Sequence, residues 1–304
     1  MKCRLCSNDQ IKLLFVSGDV HGKDVLSKDK FAIYECKDCK VTFTNVEVNP
    51  EYYNQYYPDN YYQEIQYNPI LKKSITLFQK ISFMQKLRLI RQFKPEGNKI
   101  LEIGCARGEF LHALPSSFQK YGVEINESGY QYIKEHYKDI TIYNSKIDDE
   151  NFNNIKYDII IMWHVFEHID NPVAFVGSLS KLLPKDGVII FDIPNRNSIG
   201  FNLTKKTWFH LDTPRHLFYY SYDSMRALLE KHNFEIIKYK ANIVDYFHDL
   251  SISFYMRFKK TNNLFLNIII AAAVIPPTIV IRFLAALFVP SISEINAYVV
   301  KHKV

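Results

Sequence analysis

The chain has 304 residues, of which 47% are apolar, so it can form a full hydrophobic core with room for additions around a central domain. Its formal net charge is only +6, and no run of consecutive basic residues forms an arm that would follow phosphates. Nucleic acid is therefore not an expected partner. The first residues are polar and include cysteines rather than a secretory signal, so we expect folding in a reducing cytosol.

Two Cys-x-x-Cys pairs lie near the N-terminus: Cys3 with Cys6, and Cys36 with Cys39. Four thiolates in this arrangement suit tetrahedral zinc, and two disulfides are the alternative that the expected compartment disfavours. Because four thiolates leave no open position on the metal, we expect a structural zinc ribbon over residues 1–46. Ser7 and Lys40 replace the glycine that usually follows the second cysteine, which predicts less regular turns.

Residues 47–96 are predicted to form a linker and a helix. The segment from Pro50 to Tyr67 is rich in tyrosine and lacks a hydrophobic period, which predicts an irregular cover. Its aromatic faces and hydroxyl tips suit a sugar site, and a packed or surface linker is the alternative. From Ile70 to Phe93, apolar residues recur among lysines, which predicts a long amphipathic helix.

The most informative segment, KILEIGCARGEF, spans residues 99–110 and predicts a strand, a glycine turn and a helix from Phe110. Gly104 and Gly108 let the backbone approach a ligand without a Cβ in the way. The amides at the start of the helix would then face the polar end of that ligand. Glu102 can accept a hydrogen bond from an amino group of the same ligand.

A second predicted strand, QKYGVE, ends in Glu124. An acid at the carboxyl end of a parallel strand can bind two ribose hydroxyls, as it does in doubly wound nucleotide-binding sheets. Glu102, the glycine turn and Glu124 together indicate a site for S-adenosylmethionine. A tight turn without a ligand is the alternative.

On these residues the chain resembles the class I S-adenosylmethionine-dependent methyltransferases, in which an E/D-x-G-x-G-x-G loop precedes an acid on the second strand. The chain departs from the pattern at Ala106, which takes the middle glycine position and strains the loop unless its φ is negative. The resemblance implies the following cofactor-binding residues: Glu102, Gly104, Ala106, Gly108, Glu124, Ile125, Ile147, Asp148 and His164. In the family, the position of Ile147 and Asp148 flanks and hydrogen-bonds the adenine.

Later elements follow in the family's order. They are strands at Ile140–Tyr143, Tyr157–Met162 and Gly187–Asn195, with an exit loop at His164–His168 and a helix at Pro172–Leu183. The next loop, Trp208–Ser221, is similar to the substrate-side loop of a methyltransferase subfamily whose members often lie among genes for surface sugars. In the family, a helix before the glycine loop caps the cofactor pocket.

The resemblance covers roughly residues 97–240 and implies an α/β fold. We expect a Rossmann-like, doubly wound, seven-stranded sheet whose last strand is antiparallel, with a small N-terminal zinc ribbon and an apolar helical insert. Phe234–Tyr239 and Ile295–Lys303 are the predicted final strands, and the methyltransferase domain is expected to span residues 97–304.

A very apolar run between those strands, Leu264–Pro290, is the least expected feature. Pro276 and Pro277 divide it into arms of about 18 Å, too short for a simple membrane crossing. Because the flanking strands belong to one sheet, we expect a helical hairpin at about 250–290 that leaves and returns on the same side.

The hairpin has two interpretations. In the first, the hairpin enters one leaflet of a membrane. The nearby basic residues Arg257, Lys259 and Lys260 favour this interpretation because they would contact anionic headgroups. Alternatively it is a soluble helical pair that packs on the catalytic domain or across a dimer, which Arg282 within the apolar run favours.

Candidate catalytic residues come from the loops after the fourth and fifth strands of the sheet: His164, His168, His210, Asp212, Arg215 and His216. The sulfonium carries its own leaving group, so the protein mainly aligns a nucleophile and excludes water. A histidine base would help a hydroxyl acceptor, and we favour His216 and His168, with His164 as a further candidate.

Arg215 is a candidate clamp for an anionic substrate group such as a phosphate. The competing roles are structural: His168 caps the next helix, His210 is a surface residue, and Arg215 pairs only with Glu167 or Asp212.

The function expected from these features is the transfer of a methyl group from S-adenosylmethionine to a saccharide in surface polysaccharide synthesis. The expected acceptor is a small-molecule sugar, a lipid-linked sugar or a nucleotide-activated sugar. A cytoplasmic chain, peripheral on the inner face of the membrane, fits the apolar insert. The alternatives are a polyprenyl-phenol O-methyltransferase of quinone synthesis and a non-catalytic cofactor-binding scaffold.

Overall fold

The computed structural model describes residues 1–18, 30–57, 69–147, 155–259 and 263–303. The strands of this part of the chain are β1 (Ile11–Ser17), β2 (Phe31–Cys36), β3 (Thr42–Thr44), β4 (Lys99–Ile103), β5 (Gln119–Val123), β6 (Ile140–Tyr143), β7 (Ile159–Trp163), β8 (Val188–Pro194), β9 (Phe218–Tyr219), β10 (Phe234–Ala241) and β11 (Ile295–His302). Its helices are α1 (Pro50–Tyr56), α2 (Pro69–Phe93), α3 (Glu109–Ala113), α4 (Glu127–His136), α5 (Pro172–Leu182), α6 (Ile199–Thr204), α7 (Tyr222–Glu230), α8 (Asp249–Phe258) and α9 (Leu264–Phe288).

Seven strands form the central sheet, in the order β10-β11-β8-β7-β4-β5-β6. The pairs among β4 to β8 are parallel, and β11 runs antiparallel to both β8 and β10. This confirms the predicted doubly wound sheet with an antiparallel last strand. The strands β4, β7 and β8 are apolar along nearly their whole length because both faces of the sheet are covered.

Two apolar clusters cover the two faces of this sheet. On one face, Leu101 and Ile160 pack with residues of α5 such as Leu179. On the other face, Ile100 and Ile159 pack with Leu89, Ile90 and others on the predicted long helix α2. Successive side chains of a strand alternate between faces, so neighbours in sequence enter different clusters.

A second sheet joins the N-terminal region to the catalytic domain. Its order is β1-β2-β3-β9, and the pairing of Thr42 with Tyr219 and Phe43 with Phe218 brings in a strand from the loop after β8. A side-chain bond crosses the same boundary, because Arg196 donates to Glu35 at 3.0 Å. The cysteine-bearing region is therefore built onto the loop after β8.

Part of the tyrosine-rich segment is a helix, so the prediction of an irregular cover is wrong for α1. Asn49 caps the helix by accepting from the amide of Tyr52, and Pro50 takes the first turn, where its missing amide costs nothing. Tyr52 and Tyr56 are four residues apart and share a buried face. Residues 58–67 of the segment lie outside the described residues.

The apolar run is one continuous helix, α9, so the predicted division at Pro276 and Pro277 is wrong. A proline removes one hydrogen bond and tends to kink a helix without always ending it. Here Thr278, the residue after the two prolines, donates a hydrogen bond from its hydroxyl to the carbonyl of Val274 at 2.7 Å. By length and composition, α9 is the one described helix able to cross a membrane, and at 25 residues it is about 37 Å long.

The insert between β10 and β11 contains a pair of helices, α8 and α9, which pack against each other. The buried Arg282 donates to Asp249 of α8 at 2.7 Å and to the backbone carbonyl of Asp245 at 2.8 Å. These contacts attach one face of α9 to the domain. Large apolar side chains at the two ends of the helix remain exposed, among them Phe265 at 74% and Phe288 at 76%.

Candidate active site

A cleft of about 1040 Å³ opens at the carboxyl ends of the parallel strands. It lies where β4 has β5 on one side and β7 on the other, the switch point at which doubly wound sheets bind ligands. Residues from the loops after β4, β5, β6 and β7 line it, together with side chains of α1 and of the loop after β8. The volume suffices for a nucleoside cofactor and an acceptor side by side.

The glycine loop after β4 uses the left-handed backbone region three times, at Gly104 (φ 68°), Ala106 (φ 51°) and Gly108 (φ 73°). A Cβ at Gly104 would lie 2.6 Å from the side chain of Val165, so glycine is required there for space as well as for φ. Ala106 takes the strained alternative that the sequence left open, at a cost of about 1–2 kcal/mol. The loop keeps the path that a glycine would take.

Glu124 ties the loop to the second strand of the predicted site. One carboxylate oxygen accepts from the amide of Ala106 and the other from the amide of Asn126, each at 2.8 Å. Glu124 lines the cleft, and a carboxylate at this position can accept hydrogen bonds from ribose hydroxyls. Ile125, half exposed, and Ile147 add apolar surface to the same wall. This fits the nucleoside end of S-adenosylmethionine, while Asp148 lies outside the described residues.

Glu102 lies beneath the loop and is 4% exposed. Its Oε2 has no hydrogen-bond partner among the described residues, and burial raises the pKa of Glu102 to about 8. A buried oxygen without a partner suits the amino group that the sequence assigns to it. Glu102 and Gly108 do not line the cleft, so their direct contact with the cofactor stays a prediction.

His164 follows β7 and lies between Asp192 and Glu167, with side-chain atoms 3.6 Å apart in each pair. Burial lowers the pKa of His164, but these carboxylates outweigh burial and raise the pKa to about 9. The ring is therefore protonated at neutral pH and is suited to donate to a ligand in the cleft. A protonated ring is a poor general base, which argues against His164 among the three candidate histidines.

His168 and His216 meet across the cleft wall, with ring centroids 4.6 Å apart. The Nδ1 atoms lie 3.0 Å from the carbonyl of Arg215 and 2.7 Å from that of His210, respectively. Burial and the neighbouring His168 lower the pKa of His216 to about 3, so this ring is neutral. Nδ1 of His216 thus donates to the carbonyl, and its Nε2 is left with a lone pair for a proton or another ligand.

Arg215 is held by Asp212, to which its Nε donates at 3.0 Å, and it does not line the described cleft. His210 lies in the buried interior rather than on the surface, with Nε2 3.0 Å from Asp249. The competing surface role for His210 is therefore wrong. The role of Arg215 as an anion clamp stays a prediction, because it requires the pair with Asp212 to open.

Several residues of the site were not singled out as candidates from the sequence: Tyr53, Tyr57 and Tyr246, which line the cleft, and Glu167 and Asp192, which contact His164. The hydroxyl of Tyr57 lies 2.9 Å from Nδ1 of His168, so α1 reaches the candidate base. The density of tyrosine in this segment was the available signal. Glu167 had a weaker one, since an acid next to His168 after a buried strand lies at the ligand-binding edge.

The four N-terminal cysteines form one cluster, with their sulfur atoms within 4.8 Å of one another. The Sγ atoms are 3.7 Å apart for Cys3 and Cys39 and 3.5 Å apart for Cys6 and Cys36. Tetrahedral zinc with Zn–S bonds of about 2.3 Å places sulfurs about 3.8 Å apart, whereas a disulfide bond is about 2.0 Å long. The cluster fits zinc, and its thiols are free.

The turns around this cluster are regular. Ser7 and Lys40 both have left-handed φ values, 63° and 58°, as the missing glycines would. Their amides donate back to the carbonyls of Cys3 and Cys36 at 2.8 Å and 3.2 Å. The expectation of less regular turns is therefore wrong.

We predict that Cys36→Ser removes one equivalent of zinc from the purified chain, because three thiolates do not complete the tetrahedron. The same substitution lowers the melting temperature, since metal binding stabilises small cysteine-rich folds. Metal content is measured by inductively coupled plasma mass spectrometry. Cys105→Ser, which changes the free cysteine of the glycine loop, is the matched control and keeps its zinc. Equal zinc in wild type and Cys36→Ser would contradict the assignment.

Two curated relatives are ubiquinone biosynthesis O-methyltransferases. The protein from Haemophilus ducreyi is 24% identical over 117 residues, 35% of this chain and 50% of its own length. The protein from Rickettsia conorii is 29% identical over 130 residues, 39% of this chain and 44% of its own length. The chain thus spans about half the length of these relatives or less.

Similar solved structures include magnesium protoporphyrin IX methyltransferase from Synechocystis PCC 6803 with bound SAH. It is 14% identical, has a TM-score of 0.51, and is covered over 97% of its length by 83% of this chain. This similarity shows the fold alone. The family profile described as "Methyltransferase domain" matches residues 77–239, more than half of the chain. With the seven-stranded sheet and its glycine loop in place, the chain belongs to the methyltransferase domain family.

Proposed function

We propose that the chain transfers a methyl group from S-adenosylmethionine to a hydroxyl group of an acceptor. The observation that carries this proposal is one continuous cleft with the Glu124 loop on one wall and His168 and His216 on another. Methyl transfer needs the acceptor oxygen in line with the sulfonium carbon and water kept away. His216 or His168 then takes the proton of the hydroxyl, and the low pKa of His216 makes its ring a weak base.

The cofactor half of the proposal predicts a strong effect of Glu124→Ala. Losing two hydrogen bonds to a carboxylate removes about 3–6 kcal/mol, so the dissociation constant of S-adenosylmethionine should rise at least a hundredfold. Isothermal titration calorimetry measures it directly. Glu135→Ala removes an exposed acid of α4 and serves as the matched control. Wild-type protein that binds no S-adenosylmethionine, or Glu124→Ala that binds it unchanged, would contradict the proposal.

For the acceptor we propose a saccharide, either lipid-linked or activated by a nucleotide. Tyr53 and Tyr57 present aromatic rings at the cleft beside polar groups such as Asn171 and Asp170. Sugar rings stack on aromatic faces and exchange hydrogen bonds with polar neighbours, so this lining supports the proposal. The similarity of the Trp208–Ser221 loop to a subfamily found among genes for surface sugars points the same way.

A polyprenyl-phenol is the second candidate, favoured by a specific observation. The curated relatives named above are O-methyltransferases of ubiquinone biosynthesis. A phenol with a long apolar tail would also suit a protein that exposes apolar residues along α9. A phenol ionises more readily than a sugar hydroxyl, so it depends less on a base.

Incubation with S-adenosylmethionine labelled in its methyl group distinguishes these acceptors. Cell extracts are separated into polar glycans, lipids that release sugars on mild acid, other lipids, and RNA. The sugar proposal expects label in one of the first two fractions, and His216→Gln reduces it at least tenfold. Label in phenolic lipids would establish the second candidate, and label only in RNA would contradict both. Binding of the cofactor with no labelled fraction would indicate a scaffold.

We also propose that the chain is cytoplasmic and peripheral on the inner face of a membrane. The exposed apolar residues Phe265 and Phe288 lie on α9, and the basic residues Arg257 and Lys259 come shortly before it. Apolar groups that enter one leaflet and cations that meet anionic headgroups act together in such binding. A soluble pair of helices packed across a dimer is the alternative.

Flotation with vesicles of anionic phospholipid tests the membrane proposal. Wild type should float, and a variant with Phe265→Glu and Phe288→Glu should stay in the dense fraction, because charge in the leaflet is costly. Leu13→Glu changes a residue of β1 that is 51% exposed and is the control expected to float. Wild type that does not float would leave the soluble pair, which size-exclusion chromatography then examines as a dimer.

A further inference from the structure

Glu167 is a buried carboxylate that the proposed reaction does not use. It lies in a single helical turn after β7, is 1% exposed, and neither of its oxygens has a hydrogen-bond partner among the described residues. Oε1 of Glu167 lies 3.6 Å from Nδ1 of His164 and 3.9 Å from Nε2 of His216, both beyond hydrogen-bond length. The protonated ring of His164 stabilises the charge of Glu167, but no described residue donates a hydrogen bond to either carboxylate oxygen.

Two imidazoles face the same point as this carboxylate. Nδ1 of His216 lies 2.7 Å from the carbonyl of His210, so Nε2 of this ring carries the lone pair in the neutral form. Nδ1 of His168 lies 3.0 Å from the carbonyl of Arg215 and 2.9 Å from the hydroxyl of Tyr57, and the tautomer that donates to the carbonyl likewise has its lone pair on Nε2. One ligand atom from each of Glu167, His168 and His216 lies within 4.8 Å of the other two. Acceptor atoms repel one another at such distances unless a cation or a proton donor lies between them. Imidazoles whose second nitrogen binds a carbonyl are the usual ligands of protein metal sites.

We propose that Glu167, His168 and His216 bind a divalent transition-metal ion at the wall of the cleft. Two imidazole nitrogens and one carboxylate suit zinc, manganese or iron better than calcium or magnesium, which prefer oxygen ligands. Three protein ligands leave coordination positions open, as at catalytic rather than structural sites. The site is separate from the four-cysteine cluster, whose ligands are all thiolates.

The open positions face the part of the cleft where the acceptor is expected, because His168 and His216 line it. A cation there would lower the pKa of the acceptor hydroxyl, whose proton would pass to solvent rather than to His216, because a ring whose Nε2 binds the ion no longer serves as the base. The oxygen lone pair then forms the bond to the methyl carbon, and the pair of the broken carbon–sulfur bond stays on sulfur, which becomes a neutral thioether. This role rests on the proposed function, whereas the binding of the ion does not.

The test titrates Mn²⁺ into full-length protein whose cysteine cluster is loaded with zinc, and follows free Mn²⁺ by electron paramagnetic resonance. Manganese prefers nitrogen and oxygen ligands to thiolates, so it leaves the cysteine cluster to zinc, and the Glu167 variant distinguishes this site from the group of His164, Asp192 and Asp245. Wild type should bind one equivalent, and Glu167→Gln should weaken binding at least tenfold. Glu135→Gln makes the same change on the exposed surface of α4 and should bind as wild type does. Wild type that binds neither Mn²⁺ nor a further equivalent of Zn²⁺, or Glu167→Gln that binds unchanged, overturns the proposal.

Thermal melting separates a lost ligand from a damaged fold. Without metal, Glu167→Gln should still unfold in one cooperative transition but melt below wild type, because the protonated His164 loses one of its two carboxylate partners. With Mn²⁺, the melting temperature should rise for wild type and not for the variant. If Glu167→Gln does not fold, His216→Gln replaces it in both measurements, and a wild-type-like shift in that variant overturns the site.

Calorimetry with S-adenosylmethionine on the same samples distinguishes the two proposals. Metal binding without cofactor binding would overturn the proposed function and leave the metal site standing. Cofactor binding without metal binding would do the reverse.

Discussion

The carboxylate of Glu124 is the interaction on which the cleft depends. It accepts from the amides of Ala106 and Asn126, so one side chain joins the loop after β4 to the loop after β5. The helix that follows, α4, then approaches the glycine loop closely: a Cβ at Gly129 would lie 2.7 Å from the carbonyl oxygen of Ala106. These contacts hold open a wall of backbone amides and carboxylate oxygens at the sheet edge, where a side chain would otherwise fill the space.

Much of the sheet was predictable because its strands have a simple signature. Continuous apolar runs at β4, β7 and β8 indicate strands buried on both faces, and β11 alternates well enough to mark the final strand. The failures concern helices, where local rules for proline were applied too strictly. Pro276 and Pro277 lie inside α9, and the tyrosine-rich segment contains α1. In both cases packing against the domain outweighs local preference.

The candidate site was likewise predicted from the sequence only in part. Residues near one another in sequence, such as Gly104, Ala106 and Glu124, were identified because their spacing carries the information. Contacts that join distant segments were not, and the bond from Tyr57 to His168 is an example, since the two residues are 111 positions apart. Protonation states were equally out of reach. His164 and His216 are both cleft histidines, yet burial and nearby charges move their pKa values in opposite directions.

Arg282 is fully buried in the middle of an apolar helix and paired with Asp249, and this has a consequence for the whole enzyme. Separating α9 from the domain would leave the guanidinium of Arg282 and the carboxylate of Asp249 without each other as counterions. The helix therefore cannot act as a detachable tether. The exposed apolar residues of α9 are therefore held in a fixed position relative to the catalytic domain. Any surface that binds these residues also sets the direction in which the cleft opens.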